Sequence, residues 1–81
     1  MRVRVRLFAR ARDLAGVGEV EVELPPGATV GELRRRLAGE YPRLAPLLGR
    51  SALAVDNEFA GDAQAVPAGS EIALLPPVSG G

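Results

Sequence analysis

The chain has 81 residues, 47% of them hydrophobic and 25% charged, and its ten Arg residues balance ten Asp and Glu residues to a net charge of zero. This length allows one domain with a single apolar core, near the lower limit for a fold without disulfides or metals. The sequence contains no Cys, His or Lys. Disulfides, thiol nucleophiles, Cys/His metal sites, histidine bases and Schiff-base lysines are therefore excluded within this chain. We expect a small protein whose partner supplies the catalytic groups.

Charge and hydropathy patterning also exclude two kinds of partner. Zero net charge argues against nucleic acid, because binding to phosphates depends on clustered positive charge. No apolar run approaches the roughly 20 residues that span a bilayer, and the charged start lacks the apolar stretch of a signal peptide. We therefore expect a cytoplasmic protein that contacts neither nucleic acid nor membrane.

Two segments near the start alternate between charged and apolar residues and predict paired β-strands. Arg alternates with apolar residues in 2–8, and Glu does so in 19–24. Antiparallel pairing lays an Arg face across a Glu face and turns the apolar residues to the core. We interpret the charged face as a solvated surface of the sheet, with a polyanion site as the alternative. The connection is too long for a tight turn and favours a short helical turn closed by Gly16.

A capping-box spacing between Thr29 and Glu32 predicts the main helix, over residues 30–41, with Pro42 ending it. One stripe of this helix is apolar and faces the core: Val30, Leu33, Leu37, Ala38 and Tyr41. The three consecutive arginines at 34–36 fall outside that stripe. We expect them to form a solvent-exposed face, with docking of an acidic partner as the alternative.

The remaining sequence predicts a loop and three short strands, which completes the fold class. The loop or irregular turn covers residues 42–50, with Leu44, Leu47 and Leu48 inward, and the strands cover 52–55, 59–60 and 71–75. One long helix between two groups of strands covers one face of one mixed sheet, which is an α+β roll. The first and last strands should lie near the centre, because both are strongly apolar on one face. This order is that of the ubiquitin-like β-grasp, a mixed sheet of four to five strands, here over residues 1–75.

The last six residues, Pro-Pro-Val-Ser-Gly-Gly, have no evident place in the core. Pro76 and Pro77 stop the strand and stiffen its exit, while the two glycines carry no side chains. Six extended residues beyond Leu75 reach about 20 Å, at ~3.3 Å each. Such a segment can thread a narrow tunnel and deliver the carboxylate of Gly81 to another protein's active site. We therefore predict a flexible tail over residues 76–81.

The whole chain resembles the family of small, sulfur-carrier subunits of molybdopterin synthase, relatives of the thiazole-synthesis sulfur carrier and of ubiquitin. The residues that carry the resemblance are Leu7-Phe8-Ala9, Arg12-Asp13-Leu14, Gly16, Glu71-Ile72-Ala73-Leu74-Leu75 and the tail Pro76-Pro77-Val78-Ser79-Gly80-Gly81. The resemblance implies that a ubiquitin-activating-like adenylyltransferase uses ATP to adenylate Gly81. A sulfur donor then forms a thiocarboxylate, whose sulfur converts cyclic pyranopterin monophosphate into the molybdopterin dithiolene of molybdenum cofactor biosynthesis.

The resemblance also implies how this chain takes part in that reaction. Its partner would be a large catalytic subunit, in a heterotetramer of two small and two large subunits. The chain itself would bind no cofactor and no metal, and would act as sulfur donor within a sulfurtransferase without contributing catalytic side chains. Two other functions stay open. One is a carrier for thiamine thiazole synthesis or tRNA thiolation, or a ubiquitin-like protein modifier; the other is a β-grasp adaptor whose Gly-Gly end is incidental.

Four residues are candidates for the surface that docks on a partner. By strand parity Phe8 and Leu75 fall on the outer face of the sheet, and central neighbouring strands place them together. The family pattern adds Phe59 to this apolar group, which suits a partner interface with aromatic anchors. The alternative is that Phe8 or Phe59 closes one end of the core. Arg12 is a candidate for pairing with an acid on the activating enzyme, or else a surface residue.

Overall fold

A computed structural model describes residues 1–77, so the predictions for Val78, Ser79, Gly80 and Gly81 lie outside the described residues. The elements in chain order are β1 (Arg2–Leu7), α1 (Ala9–Ala15), β2 (Glu19–Glu23), α2 (Val30–Glu40), α3 (Ala45–Leu48), β3 (Ala52–Val55), β4 (Glu58–Ala60) and β5 (Ile72–Leu75). Across the described part of the chain, every helix is too short or too polar to cross a membrane.

The strands form one mixed sheet in the order β2-β1-β5-β3-β4. β1 pairs antiparallel with β2 and parallel with β5, and β3 pairs antiparallel with both β4 and β5. β5 is the central strand and β1 is its neighbour, as their apolar faces predicted. With α2 packed on the sheet, this arrangement is the ubiquitin-like β-grasp, and the α+β prediction is confirmed.

The charged faces of β1 and β2 lie across one another as the alternation predicted. Arg2 is opposite Glu23 and Arg4 is opposite Glu21, and the Arg Nε atoms lie 3.3 and 3.1 Å from carboxylate oxygens. All four side chains are exposed, so each pair contributes at most about 1 kcal/mol. Their larger effect is on register, because a slip by one residue would move apolar side chains into water.

The main helix begins where the capping box predicted. The backbone N–H of Glu32 donates to Thr29 Oγ1 over 3.2 Å, and Thr29 N–H donates to Glu32 Oε1 over 3.2 Å. The helix ends at Glu40 with Tyr41 as its C-cap, one residue before the predicted end. The largest fully buried side chains join this helix to the strands and to α3: Leu33, Leu37, Leu44, Leu53, Ile72, Leu74, Val5 and Val30.

Residues 42–50 are not the loop or irregular turn that we predicted, because they contain the short helix α3. Pro46 lies in its first turn, where a missing backbone N–H removes no hydrogen bond. The inward side of the segment is as predicted, since Leu44, Leu47 and Leu48 are all buried. The connection between β1 and β2, in contrast, holds the short helical segment that was predicted, and it ends at Gly16 in the left-handed conformation, with φ +76°.

Arg34 departs from the prediction that residues 34–36 all face solvent. Its side chain is only 19% exposed. The guanidinium donates to the carbonyl oxygens of Leu48 and Ser51, the latter over 2.8 Å, and to Asp62 Oδ1 over 3.0 Å. The reason is that the chain leaving α3 passes beside α2 and offers carbonyls there. The next two arginines are exposed, as predicted.

Candidate docking face and tail

The face of the sheet away from α2 carries small and aromatic side chains beside the charged margin formed by β1 and β2. The strand register places Arg6, Ala73, Ala54 and Phe59 side by side across β1, β5, β3 and β4. Ala54 is nevertheless buried on this face, whereas Phe59 on the edge strand is 76% exposed. An aromatic ring therefore projects beside a floor of methyl groups.

A second row lies one step closer to the tail. Leu75 is opposite Ala52, and Phe8 comes directly after the Leu7–Leu74 pair, so the register continues with Phe8 beside Leu75. Phe8 is 42% exposed and Leu75 is half-buried. The structure thus brings together the two residues that strand parity predicted to meet. Pro76 and Pro77 follow directly, the first partly buried and the second exposed.

Phe8 and Phe59 bracket this surface. Phe8 directly follows β1, and Phe59 lies on β4, three strands away in the sheet, which corresponds to about 14 Å across the strands at their usual spacing. Neither residue belongs to the buried core of residues 1–77. The alternative that Phe8 or Phe59 closes one end of the core would require such a contribution. We call the surface formed by Phe8, Ala52, Ala54, Phe59, Ala73 and Leu75 the docking face.

A tight turn aims the edge strand that carries Phe59. Asp56 and Asn57 both have positive φ, 50° and 70°, as the central residues of a type I′ hairpin turn do. Asp56 is also tied to the central strand, because its N–H donates to the carbonyl of Glu71 over 2.8 Å and its Oδ1 accepts from Glu71 N–H over 2.9 Å. The turn therefore holds β4 in register with β3, where Phe59 is opposite Ala54.

Arg12 lies in the last turn of α1 and is exposed. The backbone N–H of Arg12 donates to the Phe8 carbonyl over 3.5 Å, so Arg12 lies one helical turn beyond Phe8. A Cβ built on Gly18 would come within 3.6 Å of Arg12 Nε, so the guanidinium rests over that glycine. No carboxylate of residues 1–77 forms an ion pair with Arg12.

Sequence reasoning missed Val17, which is 49% exposed. Leu7 N–H donates to the carbonyl of Gly18 over 2.9 Å, so the antiparallel register of β1 and β2 continues and brings Val17 opposite Phe8. The signal in the sequence is an apolar residue held between two glycines, where no helix or strand pattern gives it a buried position. Val17 extends the row of Phe8 and Leu75 by one strand.

Comparison with known proteins identifies the family. The sequence matches the ThiS family over residues 5–81. The chain belongs to this family. It is 41% identical to the molybdopterin synthase sulfur carrier subunit of Caenorhabditis briggsae, over 98% of this chain and 96% of that protein. The matched region includes every residue of the docking face and the whole tail, so the resemblance found in the sequence is confirmed.

Solved structures show the same fold over the full chain. SAMP1 from Haloferax volcanii superposes with a TM-score of 0.87 at 32% identity, with all of both chains covered. A chain from the complex of subunits 1 and 2 of the molybdopterin-converting factor of Helicobacter pylori superposes with a TM-score of 0.69 at 28% identity, again over all of both chains. This second relative was solved in a complex of subunits 1 and 2.

Proposed function

We propose that this ThiS-family chain is the sulfur carrier subunit of a molybdopterin synthase. The observation that carries the proposal is the position of the docking face, which ends at Leu75 on the central strand, where the tail begins. The full-length similarity to a sulfur carrier subunit supports the same function. A protein built this way docks through one face and extends its last residues into the protein that it docks on.

In this proposal the chemistry takes place on the carboxylate of Gly81. A free carboxylate is resonance-stabilised and a poor acyl donor, so an activating adenylyltransferase first joins it to AMP from ATP and releases pyrophosphate. A sulfur nucleophile displaces AMP and leaves a thiocarboxylate. Two rounds of transfer then place two sulfurs on cyclic pyranopterin monophosphate as the dithiolene, and in each round water cleaves the bond between the transferred sulfur and the Gly81 acyl group and restores the carboxylate. ATP is used by the activating enzyme and is not held by this chain.

The partner in this proposal is the large catalytic subunit, in an assembly of two small and two large subunits. The docking face supplies aromatic anchors at Phe8 and Phe59, and Leu75 packs between them and the tail. Residues 76–81 reach the catalytic groups of the large subunit, and Arg12 pairs with an acid on the activating enzyme. A structure of relatives described as a complex of subunits 1 and 2 supports such a partner.

Sulfur carriage is tested by intact mass spectrometry after incubation with an activating enzyme, ATP and a sulfur source. We expect a mass gain equal to the exchange of one oxygen for sulfur. The chain lacking Gly81 should show no gain and should melt at the temperature of the full chain, because the core of the described residues runs from Val3 to Leu74. An unmodified full-length chain in a reaction that loads a known carrier would rule out sulfur carriage.

Docking is tested separately by co-purification with a large synthase subunit. Phe8→Arg should abolish the complex, because a charge would be buried at its centre. Ala68→Arg is the matched control, since Ala68 is exposed in the turn between β4 and β5, away from the docking face. Loss of the complex in both variants, or in neither, would contradict the proposed face.

Modification of proteins is the second candidate function, favoured by the similarity to SAMP1, the small archaeal modifier protein 1. The same adenylated Gly81 would then be attacked by a lysine amine and form an isopeptide bond. The two functions give different products. Conjugates found by mass spectrometry on lysines of other proteins, in cells that do not require the chain for molybdopterin, would favour the modifier.

A further inference from the structure

The first residue of α1, directly after Phe8, adopts a backbone conformation that its residue type rarely takes. Ala9 has φ +51°, in the left-handed region, and it is not a glycine, asparagine or aspartate. The Cβ of an L-residue crowds the following carbonyl in this region, so alanine holds it only where the surroundings over-determine it. Such residues cluster where a protein presents groups to a ligand.

The neighbours of Ala9 show what imposes this conformation. Leu7 and Ala11 are both buried, at 2% and 0% exposure, so the chain is anchored in the core on either side. Between them Phe8 keeps extended backbone, with φ −127° and ψ 156°, and its carbonyl accepts from Ala11 N–H over 3.1 Å. The positive φ of Ala9 changes the direction of the chain at this single residue. It lets α1 return to the core while Phe8 stays on the outer face.

We infer that Ala9 is a positioning residue for the docking anchor: its left-handed backbone conformation holds Phe8 on the outer face beside Leu75. The inference rests on the proposed docking of the large subunit, in which Phe8 is an anchor. A residue that prefers negative φ at position 9 would let the strand run on or shift the start of α1. Phe8 would then leave the row that it shares with Leu75, although the core could still form.

The test is a double-mutant cycle on affinity for the large subunit, measured by calorimetry well below the melting temperature of each variant. Phe8→Ala should weaken binding by about tenfold or more. Ala9→Val, whose β-branch opposes positive φ, should weaken it by a similar factor in the native background. In the Phe8→Ala background the same change should alter affinity by less than about twofold, because Ala9 acts only through Phe8.

Two conservative variants separate positioning from a general loss of stability. Ala9→Gly and Ala9→Asn both tolerate positive φ and should keep the affinity within about threefold of the native chain. Circular dichroism is used to check that each variant is folded. If Ala9→Val does not fold, these two variants carry the test alone, and a tenfold loss in both overturns the inference.

The outcomes distinguish this inference from the function on which it rests. If Phe8→Ala binds as tightly as the native chain, the proposed docking face is wrong. If Phe8→Ala weakens binding while folded Ala9→Val does not, only the role of Ala9 is wrong. Equal losses from Ala9→Val in both backgrounds also overturn the inference, because Ala9 would then act independently of Phe8.

Discussion

The three consecutive arginines of α2 should differ sharply in what they contribute to stability. Arg34 is mostly buried and donates to two carbonyl oxygens and one carboxylate, whereas Arg36 lies 3.9 Å from Glu40 with both side chains about half exposed. A hydrogen bond that involves a charged group contributes about 1.5–3 kcal/mol, although water that enters a truncated site recovers part of this. We expect Arg34→Ala to lower the free energy of unfolding by about 2–4 kcal/mol, and Arg36→Ala by less than about 0.5 kcal/mol.

This loss is large for so small a domain. A chain of 81 residues has a total stability of about 4–12 kcal/mol. Its unfolding entropy is about 170 cal/mol/K near the melting temperature, so each 1 kcal/mol shifts that temperature by about 6 °C. Arg34→Ala should therefore melt about 12–24 °C below the native chain. Arg36→Ala should melt within about 3 °C of it.

Differential scanning calorimetry and urea titration measure both effects, and two further variants assign the cause. Asp62 is 61% exposed, so Asp62→Ala should cost less than about 1 kcal/mol and leave most of the stabilisation with the two carbonyls. Arg34→Lys keeps the charge but loses the planar guanidinium that reaches several acceptors, so it should recover less than half of the loss. Equal melting temperatures for Arg34→Ala and Arg36→Ala would refute the reasoning.

Five other substitutions, at four positions, have definite expected results in thermal melting, and one of them also has an expected result in binding. Gly39→Ala should stabilise the chain by about 0.5–1 kcal/mol, because nothing lies within 4 Å of the added Cβ in α2. Gly31→Ala should stabilise it less, because its Cβ would meet the Asp62 carbonyl oxygen at 3.2 Å. A larger gain at Gly31 would contradict this. Asn57 has φ +70°, so Asn57→Gly should be neutral or stabilising, whereas Asn57→Val should be destabilising by about 1–2 kcal/mol. A valine variant more stable than the glycine variant would exclude the hairpin turn. Phe59→Ser should leave the free energy of unfolding within about 0.5 kcal/mol of the native value, because the ring is outside the core. It should nevertheless weaken binding to the large subunit at least tenfold. A large drop in stability would show that Phe59 supports the fold.

The sequence predicted those parts of the fold that short-range rules govern. Strict alternation predicted β1 and β2, and the capping box predicted the start of α2, because each depends on residues within a few positions of one another. It missed α3, since four residues with a proline among them carry no periodicity. It also misplaced Arg34, because the acceptors of that side chain come from residues 14 to 28 positions away. Only the tertiary fold brings such partners together.

The residues at the docking face were likewise only partly predictable from the sequence. Strand parity alone places Phe8 and Leu75 on the outer face, because the side chains of a strand alternate. Val17 and Ala9 required the structure. Val17 is placed beside the face by the strand register across an eleven-residue connection, and Ala9 is distinguished by a backbone angle that no sequence pattern specifies.

The small residues of the docking face have a physical consequence for the tail. In the proposed docking, Ala52, Ala54 and Ala73 would let the partner approach the backbone of β3 and β5, so that the sheet rather than mobile side chains would set the partner's position. Leu75 ends the central strand of that sheet, and the tail leaves from it. A partner seated on the alanines, between Phe8 and Phe59, therefore meets residues 76–81 at a fixed starting point. Enlarging Ala73 to Leu would lift the partner from the sheet, so it should lower the rate of sulfur transfer more than the mass-detected loading of Gly81.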